Sequence, residues 1–356
     1  MTQTQTGEDI LLQVRHLRMY FPVTSGIIFQ RKVAEIKAVD DVSFFIRRGE
    51  TLGLVGESGS GKTTIARLLL GLMAPTSGQV LFRGSDVQGM RPTERRAYRR
   101  EVQAIFQDPF EVYNPFYKVD HILTTPIRKF GLARSKGEMG EMVAKALEAV
   151  GLRPDETLGR YPHQLSGGQR QRITVARALL LQPKLIIADE PVSMVDASLR
   201  ATILETLHRL YREFAISFIY ITHDLTTAYQ VTDNIVILYR GAVVEAGDVE
   251  RVIDKPMHPY TQELVEAIPT PVPGRGWLAE NEEVEMGGAG GGGVESRGCA
   301  YAPRCAHAAD RCRAQTPPLY RTDAGGAAAC YLYGENAVVG AREFAALLVT
   351  DGRGEC

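Results

Sequence analysis

Between about residues 10 and 250, short apolar runs alternate with amphipathic helical stretches. This alternation is typical of stacked βαβ units, in which helices cover a largely parallel sheet. Three runs are continuously apolar and have the length of a strand, as expected where helices bury both faces of a sheet. They are TLGLV at 51–55, KLIIA at 184–188 and SFIYI at 217–221. The pattern predicts an α/β fold.

A helix is expected to cross between the last two of these runs. Its apolar residues recur at the spacing of one helix face, at Ile203, Leu207, Leu210 and Phe214. Residues 93–181 carry further helical patterns and few strand patterns, so they predict a helical subdomain. We expect the α/β core, with this insertion, to extend over residues 10–255.

The composition changes after the core, which indicates a separate C-terminal extension over residues 256–356. The glycine-rich stretch 287–293 is typical of a flexible linker. It precedes a cysteine-containing segment at 299–330, and all five cysteines of the chain lie after residue 298. The extension therefore differs chemically from the core.

Charge and hydropathy narrow the class of protein. The 356 residues include 41 Lys and Arg against 42 Asp and Glu, a net charge of −1, so no global field favours nucleic acid as a partner. No apolar stretch approaches the roughly 20 residues that span a bilayer, and the polar opening lacks the pattern of a secretory signal. We therefore expect neither a secreted nor a membrane-spanning protein.

A phosphate-binding (Walker A) loop is predicted directly after the first apolar run. GESGSGKT fits the pattern G-x-x-x-x-G-K-[ST] and precedes a helical stretch. Glycines let consecutive backbone N–H groups face phosphate oxygens, and the helix start adds a positive end. The lysine would reach the β- and γ-phosphates, and the threonine hydroxyl is expected on Mg²⁺. The predicted nucleotide-binding residues are Gly56, Ser58, Gly59, Ser60, Gly61, Lys62, Thr63 and Thr64.

Further polar residues follow apolar runs, as Lys62 does. Asp189 and Glu190 end one strand, with the first placed to hold Mg²⁺ and the second to activate water. Gln107 and His223 follow two other runs. A carboxylate pair at a strand end is often only solvated, and a histidine there is often only a loop residue. Ligands of open α/β sheets bind at the carboxyl ends of strands, so the joint placement favours function.

A second glycine-rich helix start supplies the last motif. LSGGQ places Ser166, Gly167, Gly168 and Gln169 before a helical stretch. With the loop, Gln107, the carboxylate pair, Asp196 in the next turn and His223 in this order, the chain resembles an ATP-binding cassette (ABC) ATPase.

This resemblance implies a P-loop NTPase (RecA-like) core with a helical subdomain, and ATP with Mg²⁺ as ligands. It implies that Thr63, Gln107 and Asp189 serve Mg²⁺, and that Glu190, His223 and Gln107 act in catalysis. Two such subunits sandwich two nucleotides, so the signature at 166–169 would contact the partner's ATP. An aromatic residue stacks on adenine, and of Tyr20 and Phe21 we favour Phe21.

Further segments resemble the ATPase subunits of oligopeptide and dipeptide importers. These are LRMYFPVTSG, IFQDP, HPYTQELVEAIPTP and GCAYAPRCAHAADRC. The resemblance implies a second, different ATPase subunit, two transmembrane permease subunits and an external solute-binding protein, with this chain peripheral on the cytoplasmic face. Importers of nickel or sugars are the alternative within this branch. EVYNP after Gln107 and SMVD before Ala197 depart from the motifs SLNP and SALD, which puts the solute in doubt.

Four cysteines form the pattern C-x5-C-x6-C-x17-C, at Cys299, Cys305, Cys312 and Cys330. The spacing matches neither the usual zinc pairs nor a ferredoxin run. The resemblance favours a [4Fe-4S] cluster, with zinc second and free thiols as the remaining alternative. A soluble ABC ATPase that acts as a switch, without a transporter, is the rival functional hypothesis.

Overall fold

The computed structural model describes residues 10–25, 31–108, 113–193, 195, 197–268, 298–322, 325–340 and 347. The strands of these residues are β1 (Ile10–Ser25), β2 (Arg31–Arg47), β3 (Thr51–Val55), β4 (Ser77–Phe82), β5 (Ser85–Asp86), β6 (Val102–Ile105), β7 (Leu185–Asp189), β8 (Ser217–Thr222), β9 (Asn234–Tyr239), β10 (Ala242–Asp248), β11 (Tyr320–Arg321) and β12 (Ala327–Ala328).

The α-helices are α1 (Lys62–Leu69), α2 (Pro92–Glu101), α3 (Asp120–Phe130), α4 (Lys136–Ala149), α5 (Pro154–Thr157), α6 (Gly167–Leu179), α7 (Ala197–Phe214), α8 (Leu225–Val231), α9 (Val249–Asp254), α10 (Pro259–Glu266) and α11 (Asp310–Ala314). Two short 3₁₀ helices cover Pro162–Gln164 and Tyr331–Tyr333.

The central sheet has the order β11-β12-β10-β9-β3-β8-β7-β6. The five strands from β9 to β6 are parallel, which agrees with the apolar runs of the sequence. Strands β3, β7, β8 and β9 are buried along their whole length. Because the strands are parallel, the residues that follow β3, β6, β7 and β8 meet at one edge of the sheet.

A second, antiparallel sheet has the order β2-β1-β4-β5. The hydrophobic pattern did not predict this sheet, because β1 and β2 mix apolar and polar residues and contain several register shifts. Its buried side chains form a common core with α1 and with one face of the central sheet. This sheet brings the carbonyl of Ala38 against the start of α1.

The region 93–181 contains helices α2 to α6 together with strand β6. Helices α3 and α4 share a hydrophobic core with α6, α7 and the face of the central sheet that is remote from β1. Ser135 caps the start of α4, because its hydroxyl accepts a hydrogen bond from the Glu138 N–H. Helices α3 and α4 and the antiparallel sheet thus pack on opposite faces of the central sheet.

The C-terminal extension is attached to the core sheet. Strand β12 pairs antiparallel with β10, and β11 pairs with β12. The extension therefore adds two strands to the central sheet, beside β10. A cluster of three tyrosines, Tyr239, Tyr260 and Tyr301, joins β9 to α10 and to the cysteine segment, with ring centroids 4.6 to 5.6 Å apart. Aromatic pairs at these separations are favourable contacts.

Candidate functional site

The loop between β3 and α1 wraps tightly because glycine stands where no side chain would fit. Gly61 has φ of 97°, and a Cβ there would lie 2.1 Å from the Ala38 carbonyl oxygen. A Cβ at Gly56 would lie 2.2 Å from the Leu238 carbonyl oxygen. The first N–H groups of α1 have no side-chain cap. The loop therefore presents a backbone that can accept an anion.

Lys62 lies folded over this loop. Its ammonium group donates to the carbonyl oxygens of Gly56 at 2.7 Å and Glu57 at 2.9 Å. Burial lowers the pKa of Lys62, and the charges of Glu190 and Asp189 oppose that shift. A phosphate would offer the ammonium a charged partner in place of two neutral carbonyls, which makes a stronger hydrogen bond.

Asp189 ends β7 beside the loop and is only 6% exposed. Burial raises the pKa of Asp189, while a hydrogen bond from Thr63 opposes the rise. Its Oδ1 is buried and has no hydrogen-bond partner among the described residues. A buried carboxylate oxygen without a partner is costly unless a cation or donor satisfies it. The donor set of Asp189 and the Thr63 hydroxyl fits the oxygen ligands that Mg²⁺ prefers.

Glu190 and His223 form a pair at the same edge of the sheet. Glu190 Oε1 lies 3.0 Å from His223 Nδ1. Glu190 has a φ of 46°, unusual for a residue with a side chain, and its N–H donates to the Ile221 carbonyl at 2.8 Å. The Ser193 hydroxyl also donates to the Glu190 carbonyl. The backbone thus fixes this carboxylate, with 16% of its side chain exposed, against the imidazole.

The signature at 166–169 forms the start of α6. The Ser166 hydroxyl accepts from the Gln169 N–H at 3.2 Å, and the Gln169 side chain accepts from the Ser166 N–H at 3.0 Å. This reciprocal arrangement is a capping box. A Cβ at Gly168 would lie 1.8 Å from the Leu199 side chain, so glycine allows α6 to approach α7 closely. Ser166 itself is exposed.

The structure places some of the remaining predicted site residues and leaves others outside the described part of the chain. Gln107 follows β6 and is half-buried. Phe21 lies on β1 opposite Ile36 and is half-buried, so its adenine contact stays a prediction. The neighbouring Tyr20 donates to Asp40 at 2.5 Å, and burial together with that bond raises the pKa of Tyr20 to about 12. Asp196 lies outside the described residues, as does the glycine-rich stretch 287–293.

Sequence reasoning missed how the extension reaches the loop. The Glu57 N–H donates to the Tyr260 hydroxyl at 3.0 Å, and Arg304 pairs with the Glu57 carboxylate at 3.2 Å. The signals were HPYTQEL and PRC, which the family resemblance contained but to which no role was assigned. His258 in the first motif caps α10 by accepting from the Tyr260 N–H at 3.0 Å.

A buried carboxylate holds this cap in place. Glu245 on β10 accepts from the N–H groups of Met257 at 2.9 Å and His258 at 2.8 Å. Burial lowers the pKa of His258 to about 4, so the ring stays neutral at pH 7 and its Nδ1 remains an acceptor. The histidine is therefore a structural group that orients Tyr260 rather than a reacting one.

The four cysteines line one pocket of about 110 Å³ between α10 and the 3₁₀ turn at Tyr331–Tyr333. All four are free and half-buried. Burial raises the pKa of Cys330 to about 11 and also raises that of Cys299. In the described part of the chain, no three His, Cys, Asp or Glu side chains form a group that could hold a metal ion. The predicted iron-sulfur or zinc site is therefore not supported by the geometry of the side chains.

Comparisons with known proteins agree with this architecture. The family model of the ABC transporter matches residues 39–193, and that of the oligopeptide/dipeptide transporter C-terminal region matches residues 244–312. The dimeric structure of the cassette MJ0796, in a post-hydrolysis state bound to ADP and Pi, is similar with a TM-score of 0.59 and 26% identity. That likeness covers 67% of this chain and 98% of the MJ0796 chain.

Two curated relatives match over nearly the whole chain. A probable peptide ABC transporter ATP-binding protein of Sinorhizobium fredii is 44% identical over 91% of this chain and 90% of its own. The oligopeptide transport ATP-binding protein AppF of Bacillus subtilis is 39% identical over 93% of this chain and 99% of its own.

An α/β core with a phosphate loop, a carboxylate pair and a second glycine-rich helix start defines an ATP-binding cassette. The chain belongs to the ABC transporter family, and its C-terminal region is that of the oligopeptide/dipeptide transporter branch. The predicted family and fold class are thus confirmed. Among the described residues, no helix has both the length and the apolar character needed to cross a membrane.

Proposed function

We propose that this chain is the ATP-hydrolysing subunit of a peptide importer. The observation that carries the proposal is the match, over about nine-tenths of both chains, to relatives named as ATP-binding proteins of peptide transport. The match includes the C-terminal region that is specific to this branch. The geometry at the edge of the central sheet supports the hydrolytic role, because it gathers an anion-binding loop, a buried carboxylate and a candidate base.

Each residue of that edge has a distinct role in the proposal. Lys62 leaves the loop carbonyls and binds the β- and γ-phosphates. Asp189 and Thr63 hold Mg²⁺, which neutralises charge on the phosphates when it is bound. Glu190 orients the attacking water and accepts its proton, while His223 contacts the γ-phosphate beside it. Gln107, after the neighbouring strand, completes the metal site.

Glu190 and His223 are in direct contact. The 3.0 Å contact orients the carboxylate while keeping part of it exposed to solvent. A base must reach the proton that it removes, so an exposed face on Glu190 is necessary. The signature at 166–169 contacts ATP that is bound to a second ATPase subunit.

The permease subunits dock in a groove between α2 and α3. This groove has a volume of about 1040 Å³ and is lined by basic and apolar side chains, and none of the described residues that line it is acidic. Its basic residues are Arg95, Arg96, Arg99, Lys129 and Arg177. Gln103 and Asn114, on either side of Gln107 in sequence, also line it. An acidic cytoplasmic segment of the permease is the complementary partner.

Charge reversal tests this docking surface. We expect Arg99→Glu combined with Lys129→Glu to abolish co-purification with the permease subunits while ATP affinity stays within about two-fold. Arg153→Glu is the matched control, because Arg153 is an exposed arginine that pairs with Asp155 elsewhere on the helical region. Co-purification that survives the double reversal would contradict the assigned surface. Docking of this kind also places the chain at the cytoplasmic face of the membrane.

The pocket of four thiols holds a [4Fe-4S] cluster in this proposal. Each thiolate of such a cluster binds its own iron, so the sulfurs stand further apart than around one zinc ion. The observation that supports this proposal is that all four cysteines line one cavity. The cluster would brace the extension against α10.

Metal analysis after anaerobic purification tests the cluster. We expect about four iron and four sulfide per chain, with a broad absorption band that Cys305→Ser removes. Cys356→Ser is the control, since that cysteine lies outside the four-residue pattern and should leave the band unchanged. Stoichiometric zinc, or no metal, would refute the cluster without touching the ATPase.

Reconstitution tests the transport function. The chain, its partner ATPase and the permease subunits in liposomes should hydrolyse ATP faster when a peptide-loaded binding protein is added, and labelled peptide should accumulate. Hydrolysis that ignores the binding protein would instead favour a cassette that acts as a switch. Uptake of nickel or a sugar, but no peptide, would assign another solute to the same branch.

A further inference from the structure

The C-terminal extension contacts the phosphate loop through one arginine. Arg304 Nη1 lies 3.2 Å from both carboxylate oxygens of Glu57, a residue 247 positions earlier in the chain. Its Nη2 donates to Glu263 on α10. The guanidinium group of Arg304 thus connects the phosphate loop, α10 and the cysteine segment.

Glu57 is held at three points. Its carboxylate pairs with Arg304, its N–H donates to the Tyr260 hydroxyl at 3.0 Å, and its carbonyl accepts from Lys62 Nζ at 2.9 Å. Tyr260 is fully buried, so its hydroxyl is a fixed point. The peptide unit of Glu57 therefore stands between the extension and the ammonium group that contacts phosphate.

The position of Arg304 depends on the cysteine segment. The N–H groups of Arg304 and Cys305 both donate to the Tyr301 carbonyl, at 3.0 and 3.1 Å, which makes one tight turn. The guanidinium lies 5.7 Å from the centre of the Tyr301 ring, and the Tyr301 hydroxyl also donates to Glu263. Cys305, the next residue, lines the thiol pocket. A change in that pocket would move Arg304 with its turn.

We infer that Arg304 is a positioning residue for nucleotide binding, which fixes Glu57 and thereby links the thiol pocket to the phosphate loop. This inference rests on the proposed ATP site and adds a route of regulation to it. Thermodynamic linkage makes the route reciprocal, so nucleotide binding must also change the cysteine segment. Both directions are measurable.

A double-mutant cycle in the intact chain tests the contact. Exposed ion pairs have small effects, so Arg304→Ala is expected to raise the Kd and the KM for Mg-ATP about five-fold, with kcat unchanged. Glu57→Gln should do the same, and the double variant should be no weaker than either single variant. Arg304→Lys should recover part of the affinity. Arg313→Ala, which removes an exposed arginine paired with Asp310 in the same segment, should have no effect.

Hydrogen exchange provides a readout that a merely bracing role would not move. On addition of Mg-ADP, amides of residues 298–312 should exchange more slowly in the natural chain, and this response should be lost in Arg304→Ala. Affinity that is unchanged in Arg304→Ala, or two single effects that multiply in the double variant, would overturn the inference. A chain that binds no nucleotide at all would instead overturn the proposed function.

Discussion

Two glycine-rich helix starts, the phosphate loop before α1 and the signature before α6, differ in how their N–H groups are used. No side chain of the described residues caps the first, and it lies beside the buried carboxylate of Asp189, one oxygen of which has no hydrogen-bond partner among those residues. The second is closed by a reciprocal capping box and is exposed at Ser166. The first can accept a phosphate group, whereas in the second the Gln169 N–H is already satisfied by the Ser166 hydroxyl.

Under the proposed function, one chain would carry halves of two different sites. The sequence LSGGQ alone is consistent with a helix cap, and the Ser166 hydroxyl does cap α6. Its exposure leaves it available to a second subunit. The phosphate loop, in contrast, is integrated into the chain by close contacts with Ala38 and Leu238. We therefore expect substitutions at the two helix starts to separate binding from turnover.

The largest effect on ATP affinity is expected from Lys62→Ala. Loss of a charge-assisted contact to phosphate should weaken ATP affinity about 100-fold, measured by titration calorimetry with Mg-ATP. Lys136→Ala, at an exposed position at the start of α4, is the control and should bind ATP normally. An unchanged ATP affinity in Lys62→Ala would contradict the conclusion that the loop before α1, and not the start of α6, binds the phosphates of this chain's own nucleotide.

A smaller effect, on turnover alone, is expected from Ser166→Ala. In the assembled transporter this variant should hydrolyse ATP about ten-fold more slowly, while the ATP affinity of its own loop stays within two-fold. Ser135→Ala is a matched control, because Ser135 caps α4 in the same way and its loss also costs about 1 kcal/mol of stability. Equal turnover in the two variants would show that the signature acts only as a cap.

A third effect concerns the pH dependence of stability at His258, which caps the helix whose Tyr260 contacts the phosphate loop. Because burial lowers the pKa of His258 to about 4 in the folded chain, the unfolded chain binds the proton first. Stability from the neutral ring is present above about pH 6.5 and is lost as the pH falls towards 4, a change of about 3 kcal/mol. His258→Asn keeps a capping oxygen but does not titrate, so urea unfolding should show a shallower loss of stability in acid. Parallel pH profiles of the two proteins would contradict this account.

The residues of the nucleotide site could be predicted from the sequence because their positions follow a rule of sheet topology. Parallel strands bring their carboxyl ends to one edge, so Lys62, Asp189 and His223 could be placed together from apolar runs alone. The structure sets Glu190 3.0 Å from His223, although they are 33 residues apart. The antiparallel sheet was not readable, because β1 and β2 lack continuous apolar runs.

The contacts of the extension could not be read in the same way. Arg304 and Glu57 are ordinary charged residues, and no spacing rule relates positions 247 apart. Likewise, nothing in the sequence shows that β12 would pair with β10. The buried state of His258 depends on Glu245 beneath it, which the local pattern HPYTQEL does not reveal. Long-range pairing of this kind requires the folded structure.

The most direct test of the central claim is ATP hydrolysis by Glu190→Gln. The claim is that the edge formed by Lys62, Asp189 and Glu190 hydrolyses ATP with Glu190 as the base. ATP affinity should be unchanged and turnover should fall by about 1000-fold, since general base catalysis contributes on that order. Undiminished hydrolysis in this variant would contradict the assignment of the base and the reading of the site on which it depends.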